Sequence, residues 1–478
     1  MSKPGILLSL MLAGCAGAPG YRAPEVKVPP VFRETRDTIV QLPAASGTLR
    51  VEPASFQQVG DTVLTRLMNE VAQSNLDLRA AEARVRGARS ARTEATLDFA
   101  PTVTFGGGYT RQQLSSATFP IGGGTFPDQD IWDGGFDASW EIDLFGRVRR
   151  NVQAQGAFVE VNEEDLRDVR VSLNAELARS YFELRGGQEQ LLVARRNAEN
   201  QRRTLDLTRQ RLEAGRGTAF DTERALAQLS FTLASIPAIE SRVRQAQYQI
   251  GVLLGRTPAG VAAELDQVAA LPTLPPVLSV GSPDSVVRRR PDVAAAERQW
   301  AVERALVGSA KADYLPRLSL GGTAGYSSGR FGTLGDRGTF RYAVGPVISW
   351  PALNLGRVKA RVDQFRAREE EAQAQYTQTV LRALQDVESS MVRYRTARSR
   401  VDRIQDAASA SERAAELARL RFSGGVADFL QVLDAERTQL EAQVQLAQSR
   451  TDAATAYAAL YKALGGSWPG SVGIQPSR

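Results

Sequence analysis

The sequence predicts an α+β fold made of two copies of one structural unit, in which extended strands lead into very long helices. Between residues 136 and 144 apolar and polar residues alternate with a period of two, which is typical of a β-strand with one apolar and one polar face. A helical pattern then runs from Arg147 to Glu213, which corresponds to about 100 Å of α-helix. The same junction, a tryptophan followed by Gly-Arg-Val, recurs 210 residues later at Trp350 and Gly356.

Composition excludes several classes of function. The chain of 478 residues contains no His and one Cys, so the commonest general base and metal ligand is missing, and neither a zinc cluster nor an intrachain disulfide can form. We therefore expect no enzymatic activity, no cofactor and no metal site. The net charge of +6 is diluted over the whole length, which predicts no nucleic-acid partner. No apolar run of about 18 residues is present, so no helix is expected to span a bilayer.

The N-terminus has the pattern of an exported protein. Lys3 is followed by a short apolar run and small residues, so residues 1–14 are predicted to be a signal peptide. The run ends on Leu-Ala-Gly-Cys and resembles a bacterial lipoprotein signal, in which Cys15 would be lipidated and become the mature N-terminus. The alternative is an incidental or buried cysteine. Residues 15–60 are rich in Pro and are predicted to form an extended segment leading away from the lipid anchor.

The first repeat is predicted over residues 61–255. Its predicted elements are a helix from Asp61 to Asp98, strands at 102–111 and 135–145, a long helix at 147–213 and a return helix at 220–254. Strands of about nine or ten residues suit tilted transmembrane β-strands. Pro237 lies inside the return helix and is expected to kink it, because proline removes one backbone hydrogen bond.

The second repeat is predicted over residues 284–465, after an equatorial connector at 256–283. Residues 292–297 match residues 77–82 at an offset of 215. Its predicted elements are an opening helix, strands at 317–327 and 340–350, a long helix at 357–422 and a last helix at 428–464, followed by a tail at 466–478.

Four strands per chain cannot close into a barrel. An open strand edge cannot lie in lipid, because its backbone groups find no hydrogen-bond partner there, so closure needs several copies, giving 8 strands from two chains or 12 from three. The apolar strand faces are expected to meet lipid, and the polar faces to line a wet lumen. The polar-face residues are Asp137, Ser139, Glu141, Asp143, Ser319, Thr323, Arg341 and Ser349.

Besides the two repeats and the Leu-Ala-Gly-Cys signal, the chain contains three longer segments with a distinctive sequence, at residues 288–297, 311–320 and 425–437. With them the mature chain resembles, over essentially its whole length, the outer-membrane efflux lipoproteins, which are TolC-like channels of the NodT type. The resemblance implies a homotrimer with a 12-stranded transmembrane β-barrel in the outer membrane, continued by a periplasmic barrel of 12 α-helices. It also implies a passive exit duct for drugs or other small molecules. Such a duct docks on a periplasmic adaptor (membrane fusion) protein and on an inner-membrane transporter of the resistance-nodulation-division (RND) type.

The two helix turns are predicted to lie at the periplasmic mouth of this duct. The resemblance implies that the narrowest point of the duct is formed by Asp434, in the Leu-Asp-Ala-x-Arg motif, and by Leu430 one turn earlier. Arg437 lies nearby on the same helix. Three copies of the carboxylate around an axis would favour cations, and three leucines would oppose wetting. The alternative is that Asp434 and Arg437 form an ordinary i,i+3 surface pair.

Four residues of the turns are predicted to contact the adaptor, namely Arg211, Gly215, Arg421 and Gly425, which share an Arg-x-x-x-Gly pattern between the repeats. Their alternative role is a helix C-cap with a cation at the helix end, and both roles can coexist. Asp428 is a further gate candidate that could instead cap the last helix.

Two rival functions stay open at this point. A periplasmic coiled-coil tether without a pore would need no alternating strands. A duct for type I protein secretion would share the same repeats and is not separated from small-molecule efflux by the sequence.

Overall fold

A computed structural model of the chain describes residues 27–36, 40–41, 56–115, 127–274 and 278–466. Cys15, the predicted signal peptide and all but the first residue of the predicted C-terminal tail lie outside these residues. The described residues form two compact units. The first unit comprises residues 84–163 and 295–377, and the second comprises residues 27–83, 164–294 and 378–466.

The helices of the described part are, in chain order, α1 Thr62–Ser74, α2 Leu76–Leu97, α3 Arg147–Glu213, α4 Ala219–Leu253, α5 Pro258–Leu265, α6 Pro283–Arg289, α7 Pro291–Ala312, α8 Leu355–Ser423 and α9 Phe429–Ala463. The strands are β1 Val40–Gln41, β2 Thr102–Gln112, β3 Gln129–Ile142, β4 Leu278–Ser279, β5 Arg317–Ser328 and β6 Phe340–Ser349. Short 3-10 turns lie at Arg33–Arg36, Phe56–Val59 and Phe331–Thr333. No helix of the described residues is both long and apolar enough to cross a membrane.

The first unit is built on an antiparallel sheet in the order β2-β3-β5-β6. The register places Phe136 opposite Phe105 on one side and Ala324 on the other, and it places Asp137 opposite Thr104 and Thr323. Apolar residues therefore share one face across the sheet and polar residues share the other, which confirms the prediction of two-faced strands. The apolar face is exposed in the single chain, since Phe105 and Tyr342 are 70% and 73% accessible.

Strand β3 has different bounds from the predicted 135–145. It begins at Gln129, because it pairs with β2 as far as Gln112, and it ends at Ile142. Asp143 has left the sheet, since its carboxylate accepts hydrogen bonds from the backbone N–H groups of Val148 (3.3 Å) and Arg149 (2.8 Å). The acidic residue at the end of the alternation therefore stabilises the start of α3, whose first backbone donors have no partner within the helix.

Two tryptophans join the strands to the preceding helices in the same way in both repeats. The indole nitrogen of Trp140 donates to the carbonyl oxygen of Phe99 at 2.9 Å, and that of Trp350 donates to Tyr314 at 3.1 Å. Each acceptor lies two residues before the proline that follows its helix. The two repeats therefore share individual hydrogen bonds as well as sequence pattern.

The core of the second unit is made of helices and is rich in aromatic residues. Tyr181, Tyr394, Tyr457 and Tyr461 are each at most 2% exposed. The hydroxyl of Tyr181 donates to the carboxylate of Asp61 at 2.8 Å, and burial raises the pKa of Tyr181 to about 12, so the hydroxyl keeps its proton. Asp61 also accepts the backbone N–H of Leu64 and so caps α1.

The predicted single helix from Asp61 to Asp98 is wrong, because the chain breaks at Asn75 into α1 and α2. Asn75 is extended (φ −65°, ψ 132°), and its side-chain oxygen accepts the N–H of Leu78 at 2.9 Å. Asparagine thus acts as a helix cap here. Pro237 does not end α4, which continues as a helix through it from Ala219 to Leu253, and the kink at this residue stays a prediction.

The described part of the N-terminal segment is packed into the second unit, where the sequence predicts a plain extended run. Phe32 is 1% exposed. The carboxylate of Glu388 accepts the backbone N–H groups of Arg33 (2.7 Å) and Glu34 (3.2 Å). Strand β1 then pairs in parallel with β4. The segment is therefore held by burial and by hydrogen bonds within this unit.

Candidate functional site

The two helix turns of the second unit have the same backbone geometry. The N–H of Gly215 donates to the carbonyl oxygen of Leu212 at 3.0 Å, and the N–H of Gly425 donates to Phe422 at 3.0 Å. Both glycines have positive φ, +67° and +75°, which a residue with a side chain rarely adopts. The next N–H in each turn bonds to Arg211 or Arg421, which completes a Schellman motif. The glycines therefore serve as helix C-caps, whatever else they contact.

The helices that follow the turns begin with side-chain caps. The hydroxyl oxygen of Thr218 accepts the N–H of Asp221, and the carboxylate of Asp428 accepts the N–H of Gln431 at 3.1 Å. Asp428 thus has the capping role that the sequence offered as its alternative.

The two arginines of the Arg-x-x-x-Gly pattern differ in their surroundings. The guanidinium of Arg211 lies 3.9 Å from the ring centre of Phe422 and donates to the carbonyl oxygen of Phe422 at 2.7 Å. Arg211 therefore fastens one turn to the other. Arg421 is exposed, and its side chain has no hydrogen-bond or ion-pair partner among the described residues. Sequence matching alone treats the two residues as equivalent.

The predicted constriction residues lie together on the exposed face of α9. Leu430 is 44% exposed, and the side chains of Asp434 and Arg437 are 72% and 59% exposed. Arg437 donates to the Asp434 carboxylate at 3.1 Å, with the i,i+3 spacing of a helix surface pair. Leu430 and Asp434 are four residues apart and so share one face. A single chain therefore presents a leucine, a carboxylate and a guanidinium to whatever lies next to α9.

The opposite face of α9 meets α3 through polar pairs that are wholly or partly buried, which sequence reasoning missed. Along α3 these partners recur every seven residues, and the pairs are Gln190–Gln448 at 3.0 Å, Asn197–Gln443 at 2.9 Å and Thr204–Glu436 at 2.9 Å. Gln201 is buried in the same stretch of α3, and its side-chain amide has no hydrogen-bond partner among the described residues. We call the three pairs the polar seam. The heptad spacing of polar residues in a helical region was the available signal.

Glu436 carries the one carboxylate of the polar seam and is 3% exposed. Besides the hydroxyl of Thr204, its carboxylate faces the guanidinium of Arg419 at 3.4 Å. Burial raises the pKa of Glu436, because removal from water disfavours the charged form more than the two partners favour it. The seam thus contains a destabilised charge two residues from Asp434.

A cavity of about 390 Å³ lies between the two turns. Its lining includes Phe220, Phe422 and Leu430 together with the backbone of Gly217. Phe220 is 62% exposed, and Val426 in the second turn is 72% exposed. The turns therefore offer an apolar surface beside the exposed cation of Arg421.

An amphipathic four-stranded sheet together with two antiparallel pairs of very long helices defines the TolC-like class of outer-membrane channel. Among solved structures, the outer-membrane channel OprN matches with a TM-score of 0.87 and 35% identity, over 95% of this chain and 100% of that one. Residues 67–256 and 283–466 match the family described as outer membrane efflux protein, and the chain belongs to this family.

Individual relatives match over nearly the whole chain. Nodulation protein T of Rhizobium leguminosarum bv. trifolii is 26% identical over 465 residues, which cover 96% of this chain and 95% of that protein. The probable outer membrane lipoprotein SilC of Salmonella typhimurium is 27% identical over 470 residues, covering 96% and 97%. The resemblance found in the sequence is thus confirmed, and the protein is an outer-membrane efflux channel with the fold of channel proteins.

Proposed function

We propose that three copies of this chain form the passive exit duct of a tripartite pump that exports drugs or other small molecules. The trimer is supported by two properties of the sheet. Its apolar face is exposed, and its outer strands β2 and β6 each pair with one neighbouring strand within the described residues. Because the four strands are antiparallel in sequence order, β6 of one copy would run antiparallel to β2 of the next. Three copies give 12 strands, which leaves room for a channel, whereas 8 strands fill their interior with side chains.

The proposed gate is the exposed face of α9. Three copies of Leu430 around the axis would oppose wetting, and three copies of Asp434 would favour cations. Arg437 donates to this carboxylate at 3.1 Å in the single chain, so the cation preference at the gate would require this pair to open in the trimer. The unsatisfied side-chain amide of Gln201 beside the polar seam supports movement of this helix, because a buried polar group without a partner destabilises the packing around it.

The proposed adaptor contact is the pair of turns. Arg421, Val426 and Phe220 offer a cation and two apolar side chains, which is the mixture found at protein interfaces. Gly215 and Gly425 would shape this surface as C-caps, and Arg211 would stabilise it from within. An inner-membrane transporter of the RND type would supply the energy for export through this passive duct.

The proposed anchor is a lipid on Cys15. Phe32, which is buried in the second unit, lies 17 positions after Cys15, and this length of chain can span at most about 60 Å. Acyl chains add about 0.8 kcal/mol per buried CH₂ group, so a multiply acylated cysteine would hold the chain at the periplasmic side of the outer membrane.

Native mass spectrometry of the protein extracted from membranes in mild detergent tests the trimer and the anchor together. The expected species contains three chains, each heavier than residues 15–478 by a lipid. The matched control is Cys15→Ala, which should lose the lipid mass and remain a trimer. A lipidated species with one chain would overturn the duct and favour the periplasmic tether.

A further inference from the structure

The polar face of the four-stranded sheet carries five charged side chains within its strands, and four of them are in ion pairs. Asp133 pairs with Arg341 at 3.2 Å, and Glu141 pairs with Arg147 at 2.6 Å. Arg317 pairs with Asp313 at 2.6 Å. The fifth is Asp137, whose carboxylate has no ion-pair or hydrogen-bond partner among the described residues.

The surroundings of Asp137 keep its carboxylate uncovered. Its neighbours across the sheet are the short side chains Thr104 and Thr323. The next row of the same face is Gly106, Gly135 and Gly325, one on each of three adjacent strands. The row leaves a hollow of about 240 Å³ that Asp137 lines together with Asp133 and Arg341.

The hollow is a fixed feature, because two of its glycines cannot carry a side chain without moving the backbone. A Cβ atom at Gly325 would lie 2.5 Å from the carbonyl oxygen of Gly134, and one at Gly135 would lie 2.8 Å from that of Ala324. Real Cβ atoms essentially never approach backbone atoms so closely. No larger residue at Gly135 or Gly325 can therefore cover the Asp137 carboxylate, while Gly106 has room for a side chain and keeps the hollow open by having none.

We propose that Asp137 is a specificity-determining residue of the channel, setting a preference for cationic over anionic solutes at the level of the sheet. The inference rests on the proposed trimer with its polar face inward. Three Asp137 carboxylates would then stand at one height in the lumen, while the paired charges beside them cancel. A ring of uncompensated carboxylates raises the local concentration of cations and lowers that of anions. This ring would act independently of Asp434, which lies in the other unit.

Recording of single channels in a planar bilayer under a KCl gradient tests the proposal through the reversal potential. Asp137→Cys should lower the permeability ratio of K⁺ to Cl⁻ by about fourfold, since three charges about 10 Å from the axis, screened by salt, change the local concentration of each ion by about twofold in opposite directions. Reaction of this cysteine with a methanethiosulfonate that adds a sulfonate should restore the ratio, and one that adds a trimethylammonium should lower it further. The same reagents applied to the unaltered chain control for Cys15, the one native cysteine.

The matched control is Phe136→Cys, because Phe136 is adjacent in sequence and lies on the apolar face. Its labelling should leave the ratio unchanged. The isosteric variant Asp137→Asn keeps the test available if the cysteine variant does not fold. A normal channel whose ratio is unaffected by Asp137→Asn and by labelled Asp137→Cys overturns the inference and leaves the duct standing. Two outcomes overturn the proposed duct itself. One is a permeability ratio that changes on labelling of Phe136→Cys and not of Asp137→Cys, and the other is the absence of channel currents from the unaltered chain.

Discussion

The side-chain amide of Asn75 donates a hydrogen bond to the carbonyl oxygen of Leu253 at 2.8 Å, joining the break between α1 and α2 to the end of α4. The second repeat uses the same connection with a different side chain. Arg290, between α6 and α7, donates to the carbonyl oxygen of Ala463 at 3.0 Å, at the end of α9. Both donors are buried, 2% and 8% exposed. A helix end inside the unit has carbonyl groups that need partners, and these two residues supply them.

Replacement of Asn75 by Ala should destabilise this junction by about 1–3 kcal/mol, because it removes a helix cap and leaves a buried carbonyl unsatisfied. Hydrogen exchange of the amides in α1 and α2, measured in detergent, reports the local free energy of opening. Asn162→Ala is the control, since that exposed amide bonds to a carbonyl of its own helix. If Asn75→Ala lowers the free energy of opening no more than Asn162→Ala does, the hydrogen bond between Asn75 and Leu253 is dispensable.

The break at Asn75 shows where sequence reasoning on the fold succeeded and failed. The repeat offset and the two faces of the strands were readable, because they depend on periodicity alone. Ser74-Asn75 is a capping pair by composition, yet apolar residues continue at helical spacing on both sides of it. What decides in favour of a break is the carbonyl of Leu253, which lies 178 residues away in the chain. No local pattern contains that partner.

Replacement of Trp140 by Phe should cost about 1 kcal/mol, since it keeps the ring and removes the hydrogen bond to Phe99. Trp350→Phe should cost a similar amount through Tyr314, and the double variant should show roughly the sum, provided the two sites are independent. The measurement is the temperature at which the detergent-solubilised oligomer dissociates on a native gel. An unchanged temperature in the double variant would show that the indole nitrogens do not contribute.

Arg211 and Arg421 allow a comparison of matched positions in the two repeats. Arg211→Ala should lower the protection of the amides around Phe422 from hydrogen exchange by about 1–2 kcal/mol, because it removes a charged hydrogen bond and a cation–π contact. Arg421→Ala should leave that protection within about 0.5 kcal/mol.

Binding to the proposed periplasmic adaptor should distinguish Arg211 from Arg421 in the opposite sense. Arg421→Ala is expected to weaken binding about tenfold, as the loss of a charged contact at an interface does, with the helix turns intact. Equal affinity for the unaltered chain and for Arg421→Ala would remove Arg421 from the docking surface.

The candidate site was less readable from sequence than the fold. Leu430 and Asp434 follow from a motif, and the structure places both on the exposed face of α9. Glu436, two residues further on, was passed over because a glutamate in a helical region is usually solvated. Its burial is set by Thr204, which is far away in the chain. Tertiary packing therefore determines which acidic residue of this helix is buried and which is exposed.

Replacement of Glu436 by Gln should stabilise the protein at neutral and alkaline pH and have a diminishing effect on acidification. The pKa of Glu436 is raised in the folded state by burial, so the folded state favours the protonated form. Its contribution to stability is then fully present below the ordinary value of 4.5 and is lost as the pH rises through the folded pKa. Glutamine mimics the protonated form at every pH.

Thermal unfolding from pH 5 to pH 8 measures this difference. The midpoint of Glu436→Gln should exceed that of the unaltered chain most at the alkaline end. Glu441→Gln is the control on the same helix, because the side chain of Glu441 is 64% exposed. A midpoint difference for Glu436→Gln that stays constant with pH would show that its charge is not titrated on folding.

Replacement of Asp434 by Ala should raise single-channel conductance and lower the preference for K⁺ over Cl⁻, each by about twofold, if three carboxylates line the constriction. The control is Asp206→Ala on α3, since Asp206 and Arg209 form an i,i+3 pair with a similar exposure of 57% and 52%. The two pairs are alike as helix surface pairs, worth a few tenths of a kcal/mol each. The Asp206 pair is longer, at 3.7 Å against 3.1 Å, and the difference that the test uses is where the two helices would stand in the proposed trimer. Channel currents that respond to neither variant would return Asp434 and Arg437 to the role of a surface pair, while a response to Asp434→Ala alone would place this carboxylate on the conduction path.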